Sequence, residues 1–194
     1  MKNDSDNPAA STSSRMKRKS DYKKNETRSW ILSLLAALVV ALLLRFFVFE
    51  FIRVEGDSMN QTLHDDEYVF MERVTYWMRE PEFGDIIICT YPDMPNTYVK
   101  RVIGTGGDTI EVKDGVLYIN GEPDHQDYAY FGNRTEHNGD FPAVVVPQDC
   151  VFVMGDNRNQ SMDSRSPHVG ALPYERVLGK ALFVIWPPEN MGGL

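Results

Sequence analysis

The sequence predicts a mainly β fold. Antiparallel sheets form one extracytoplasmic domain, residues 53–194, behind a single N-terminal transmembrane helix. Three observations carry this. From residue 53 onward, short apolar runs alternate with Gly, Pro, Asn and Asp, and no helical period is sustained. One long apolar run, Trp30 to Ile52, precedes them. The charge is split across that run: before Trp30 stand eight Lys/Arg against four Asp/Glu, a net of +4, and after it 12 against 24, a net of −12.

Residues 1–29 are polar, rich in Ser, Asn, Asp and Lys, and lack the apolar surface needed to order a chain. Arg15, Lys17, Arg18, Lys19, Lys23, Lys24 and Arg28 crowd the approach to the apolar run, which favours a cytoplasmic N-terminus. A basic tail, an apolar run and an acidic body speak of topology. The acidic body argues against nucleic-acid binding by charge.

Residues 30–52 are predicted as the anchor. As one helix they would span about 34 Å, enough for a ~30 Å hydrocarbon core. Arg45 falls toward the far end, where its head can reach the lipid head groups. A cleaved signal peptide is the rival reading. It calls for small residues just past the apolar core, where this chain has Arg, Phe and Val.

In the body, 67–71 reads as a strand and 86–90 as a buried one. Strands are next predicted at 98–103, then at 109–112 and 116–119, a hairpin joined through Asp114-Gly115. The stretch 122–141 is polar around Tyr128, Tyr130 and Phe131 and is expected to be an irregular excursion with a local aromatic cluster. Strands at 143–146 and 151–154 follow. A closing strand at 178–186 is stopped by Pro187-Pro188. Cys89 and Cys150 are too few for a disulfide framework, and no bridge is expected. His64, His125, His137 and His168 lack metal-ligand spacing, so neither a metal nor a cofactor is expected.

Three stretches bear chemistry. The first is Val54 to Leu63, with Ser58 preceded by Gly56 and flanked by apolar Val54 and Met59. The second is Tyr98 to Gly104, and the third Gly155 to Arg165. Singly, each has a plain reading: a Gly-x-Ser marks a turn, a strand lysine is solvated, and Gly-Asp-Asn-Arg is a turn. Together, in this order and behind an apolar run, the chain resembles the type I signal peptidases, the membrane-bound Ser-Lys leader peptidases of bacteria. Gly56–Leu63 matches their serine box, Lys100–Gly104 their lysine box and Gly155–Arg165 their third box. Gln61 stands where the family usually has proline, and Gln160 where it usually has asparagine.

The resemblance implies Ser58 as nucleophile and Lys100 as general base, acting through an acyl-enzyme. It implies Ser161 as the hydroxyl that hydrogen-bonds and orients the lysine amine. Asp163 and Arg165 match a salt-bridged pair, with Arg101 expected as a further partner. Some members place a hydroxyl two residues before the nucleophile. Here that position is Gly56, so the second oxyanion donor is left open beside the Ser58 N–H. The implied partners are signal peptides of exported preproteins, cut after small-x-small sites, with membrane lipid and the export machinery nearby. The length resembles Gram-positive members.

The chemistry is consistent with this assignment. A serine hydroxyl needs a base, and lysine serves only when its pKa falls from ~10.4. Apolar neighbours of Lys100 and the adjacent cation Arg101 both push it down. Strand alternation sends Lys100 and Arg101 to opposite faces. Asp57 is expected to point away from Ser58. Other readings stay open: a Ser-Lys peptidase specialised for one pilin or secreted factor, and a non-catalytic relative that assembles pilus subunits. A self-cleaving Ser-Lys repressor is soluble, unlike this chain. Sequons at Asn60 and Asn159 fall inside the boxes, and glycans there would block the site, which favours a bacterial cell membrane.

Overall fold

The computed structural model describes residues 28–45, 48–125, 127–130 and 140–194. The basic tail before Arg28, Phe131 and His137 lie outside these residues. The chain divides into a unit ending at Phe46 and a unit from Phe47 to Leu194.

The first unit contains helix α1, Arg28–Arg45. Every one of its residues is exposed, including Trp30, Leu34 and Leu38. Such an apolar surface has no place in water. Its 18 residues give about 27 Å of helix, close to the ~30 Å of a bilayer core. The helix fits membrane anchoring. Its C-terminal boundary corrects the sequence reading: the described helix ends at Arg45, and Phe49–Arg53 is strand β1, not membrane helix. The alternation in β1 was masked by its length of aromatic residues, which extended the apolar run.

The second unit holds two antiparallel sheets. After β1 come β2 (Tyr68–Glu72), the short helix α2 (Thr75–Met78), β3 (Ile86–Thr90) and β4 (Thr97–Thr105). The second sheet is then laid down as β5 (Thr109–Lys113), β6 (Val116–Ile119), β7 (Glu122–Pro123) and β8 (Phe141–Val145). The chain returns to the first sheet with β9 (Cys150–Met154), β10 (Leu172–Pro173), β11 (Val177–Trp186) and β12 (Gly192–Gly193). The large sheet runs β1-β2-β11-β3-β4-β9-β10, with β12 beside β11, and the small one runs β7-β6-β5-β8. The fold is mainly β, as the alternating pattern predicted. The β5–β6 hairpin pairs Lys113 with Val116 across Asp114-Gly115, both left-handed, as a two-residue turn of this type requires. Cys89 and Cys150 are both free thiols.

Long-range order converges on β3 and β4. Ile86 to Cys89 are buried on both faces because β11 and β4 flank β3 and apolar clusters cover each side. That explains an uninterrupted Ile-Ile-Ile-Cys run in an antiparallel sheet. Just before β3, Asp85 is 7% exposed and is bound by Arg79 (2.9 and 3.1 Å), Lys180 (2.6 Å), the Tyr76 hydroxyl and the Glu82 N–H. Burial pushes its carboxyl up, but the hydrogen bonds from Arg79 and Lys180 prevail and hold it at about 2.

Asp85 therefore contributes stability that is fully present above its unfolded pKa of about 4 and is lost as pH falls through about 2. Asp85→Asn should cost about 3 kcal/mol, the lower end for breaking a buried pair whose cations keep some solvent. This corresponds to roughly a 10 °C fall in Tm at neutral pH. Thermal melts of both proteins from pH 7 to pH 2 should show the gap closing at the acid end.

Candidate active site

Ser58 lies in the loop between β1 and β2. That loop is closed at its base by Val54 N–H to Glu67 O (2.7 Å) and Asp66 N–H to Val54 O (3.0 Å). Val54, Met59 and Leu63 drop into the core beneath it. Met59 is 1% exposed, so the residue after Ser58 is a buried anchor, and its carbonyl accepts the N–H groups of Thr62 and Leu63. Apolar residues at 54, 59 and 63 thus make a short surface segment rigid.

Lys100 comes from the middle of β4, in register with Ile87 of β3. It is 2% exposed. Its Nζ lies 2.7 Å from Ser58 Oγ and donates to the Val99 carbonyl at 2.8 Å. Burial pushes the amine well below the usual lysine range, while the Cys89 thiol and the carboxylates of Asp163 and Asp156 act weakly the other way. Arg101 is not a cause of the shift: its charge is spent on Asp156.

Arg101 does face away from Lys100, as alternation demands, but its partner differs from the one expected. It makes a two-pronged ion pair with Asp156 (2.9 and 2.7 Å), not with Asp163, and also donates to Gly84 O. The Asp163–Arg165 pair is present (2.8 and 2.9 Å), and Asp163 also accepts the Gly155 N–H. Burial pushes the Asp163 carboxyl up and Arg165 overrides it, holding it low. Ser161 departs from expectation. Its buried hydroxyl acts on the Asp163 carboxylate, and the amine of Lys100 reaches Ser58 and Val99 instead. Gly56 has φ +83° and its N–H is taken by Asp65 Oδ1 (2.7 Å), so it supplies no oxyanion donor. Asp57 is exposed.

Residues without an assigned role in the sequence turn out to bind the Ser58 loop. Asp156, fully buried, accepts Thr62 Oγ1 (2.6 Å). Asn157 donates its N–H to Ser58 O (3.0 Å) and its side-chain amide to Asp57 O (2.9 Å). Both lie in the third stretch, but contacts spanning 94 and 100 positions leave no local signal. Tyr130, from the excursion, pairs with this segment through its N–H to Asp156 O (2.7 Å) and the Arg158 N–H to its own carbonyl (2.8 Å). Tyr128 lies beneath the Arg101 guanidinium at 4.5 Å. The local aromatic cluster expected there includes Phe131, outside the described residues; Tyr128 and Tyr130 brace the third stretch.

Ser58 and Lys100 open into a cleft of about 500 Å³, walled by Ile52 and Val54 on one side and Thr97, Tyr98 and Val99 on the other. Thr97 to Lys100 pair with β3 on one edge, and pairing with β9 begins only at Arg101. The other edge of Thr97–Lys100 therefore has backbone groups available to an added strand. A larger concavity of about 880 Å³ near Trp77, Arg79 and Tyr174 contains neither Ser58 nor Lys100. Among the described residues no cluster of His, Cys, Asp and Glu could hold a metal ion.

A methyl at Gly155 would run into Ser58 O and the side chain of Ser161, backbone included, with no room to shift. Gly155→Ala is expected to push the third stretch off the serine loop. Peptidase activity should fall at least about tenfold for a misplacement near 1 Å, alongside a lower Tm. Steady-state cleavage and a thermal melt check both.

Comparison with known proteins places this geometry. The model of the family described as "Signal peptidase, peptidase S26" matches residues 27–186. A signal peptidase I of Bacillus licheniformis is 43% identical over 176 residues, covering 87% of this chain and 94% of that relative. Signal peptidase I S of Bacillus subtilis is 39% identical over 183 residues, covering 91% and 98%. A crystal structure of a signal peptidase I from Enterococcus faecalis is 32% identical, covers 53% of this chain and 97% of that one, and aligns with a TM-score of 0.45. With the family match spanning both the apolar helix and all three chemical stretches, the chain belongs to the signal peptidase family, peptidase S26, in its type I branch.

Proposed function

We propose that this chain removes signal peptides from exported preproteins by a Ser58–Lys100 mechanism. The observation that carries the reading is a buried lysine amine 2.7 Å from a serine hydroxyl at the floor of a cleft. Neutral Lys100 takes the Ser58 proton as Oγ attacks the scissile carbonyl carbon. The oxyanion accepts the Ser58 N–H, which donates to no group among the described residues. The protonated amine then passes its proton to the departing amino group, leaving an acyl-enzyme. Water, deprotonated by the same amine, releases the signal peptide.

The substrate lies as a strand along the open edge of Thr97–Lys100, and shallow subsites favour small-x-small ends such as Ala-x-Ala. Helix α1 anchors the body at a bacterial cell membrane, in reach of lipid-borne signal peptides and of the export machinery. The +4 tail is cytoplasmic and the −12 body outside. The residues before α1 then serve as tail, α1 as anchor and the unit from β1 onward as peptidase domain.

Detergent-solubilised protein incubated with a preprotein whose signal ends in Ala-x-Ala is expected to cut after the second Ala, read by mass spectrometry. Ser58→Ala and Lys100→Ala should abolish the cut. Lys100→Arg is sharper, since arginine keeps the charge but does not deprotonate. Substantial activity in a folded Lys100→Arg protein would overturn the mechanism.

The rate is expected to rise with pH along the acidic limb, because only neutral Lys100 accepts the proton. Burial moves that limb below the ordinary lysine range. A limb at the unperturbed value of about 10.4 would contradict the assignment of the base.

Protease added outside protoplasts should digest the body and spare the first 29 residues. Accessibility of the tail alone would reverse the topology.

A further inference from the structure

Ser58 sits between two peptide planes, and one residue holds the carbonyl of each. The Asn157 side-chain amide donates to Asp57 O at 2.9 Å, and the Asn157 N–H donates to Ser58 O at 3.0 Å. The Asp57–Ser58 peptide is not among the cis bonds of the chain. In a planar trans peptide the C=O and the N–H point in opposite directions. Fixing the Asp57 carbonyl therefore fixes the aim of the Ser58 N–H, the group the proposed mechanism offers to the oxyanion. We propose that Asn157 is a positioning residue that aims the Ser58 N–H into the cleft, an inference that rests on Ser58 being the nucleophile.

Three further features of the structure fit this role. Asn157 is 3% exposed, so its amide is not free to turn to water. It is held from both sides: Tyr130 takes the Arg158 N–H and gives its own N–H to Asp156 O, while Asp156 is clamped by Arg101 and Thr62. A donor on the Asp57 carbonyl also polarises that peptide and makes the Ser58 N–H a better donor, since linked hydrogen bonds strengthen one another. Asn157 makes no contact with Lys100 Nζ, whose partners are Ser58 Oγ and Val99 O. Its effect should therefore fall on the oxyanion and not on the base.

The test uses the full chain in detergent with Asn157→Leu, which keeps shape and loses the donor, and Asn157→Ala as a second variant. Melting curves establish which are folded. Removing an oxyanion donor costs about 10²–10³ in kcat, and misaiming one should cost about 10- to 100-fold. KM should stay within about twofold, and the acidic limb of the pH profile should not move. A peptide aldehyde, whose serine adduct carries the oxyanion, should lose affinity by about the same factor as kcat. The corresponding unreactive peptide alcohol should bind as before.

Unchanged kcat in a folded variant would overturn the inference. So would an equal loss of aldehyde and alcohol binding, or an acidic limb moved toward the ordinary lysine range, either of which marks a general loosening. If Ser58→Ala remains active, the Ser-Lys reading itself has failed. If Ser58→Ala is dead while the Asn157 variants run at full kcat, only the aiming role falls.

Discussion

The desolvation of one amine sets the terms for the rest of the site. Lys100 is buried in the middle of β4, and burial is the leading reason its pKa falls. A charged ammonium at that position loses its hydration, so burial favours the neutral form. The sheet creates that environment. β3 supplies a strand buried on both faces beside it, and Met59 and Leu63 of the serine loop pack into the same cluster as Ile86 and Ile88. The buried amine and the hydrophobic core are thus one structure, and loosening the packing near Lys100 would weaken the downward push on its pKa.

The same burial constrains the surrounding charges. Asp156 and Asp163 are both buried and both act to raise the pKa of Lys100. Neither carboxylate is left without a cation of its own. Each has its own arginine in a two-pronged pair, Arg101 on Asp156 and Arg165 on Asp163. Bidentate pairing holds the opposite charges at fixed short range. The arginines therefore fix the shape of the site around Lys100.

Much of this was readable in the chain, for a physical reason. Strands such as Ile86–Thr90 and Val116–Ile119 carry their patterns locally, and turn residues such as Asp114-Gly115 mark their ends. Ser58 and Lys100 stood out through three stretches in fixed order. Opposite facing of Lys100 and Arg101 follows from strand alternation alone. What sequence could not supply was pairing across distance. Arg101 chose Asp156 over Asp163 because of where β9 returns beside β4. Ser161 kept its place in the third stretch but not its contact with the amine. The anchor was overextended because Phe49, Phe51 and Ile52 are apolar whether they face lipid or line a strand.

The proposed Ser-Lys mechanism also has to orient its base with fewer groups than a histidine triad uses. Imidazole is stiff and takes its direction from one hydrogen bond to a carboxylate. A lysine side chain carries about 2 kcal/mol of rotamer entropy that must be lost to hold its amine in line. No carboxylate can do the holding here, since it would restore the positive charge. The Val99 carbonyl, neutral and fixed in β4, takes that part at 2.8 Å, and packing around the aliphatic stem does the rest. A backbone acceptor orients the amine while adding no net charge. That leaves side-chain carboxylates to hold arginines and backbone loops at one remove from the reacting atoms.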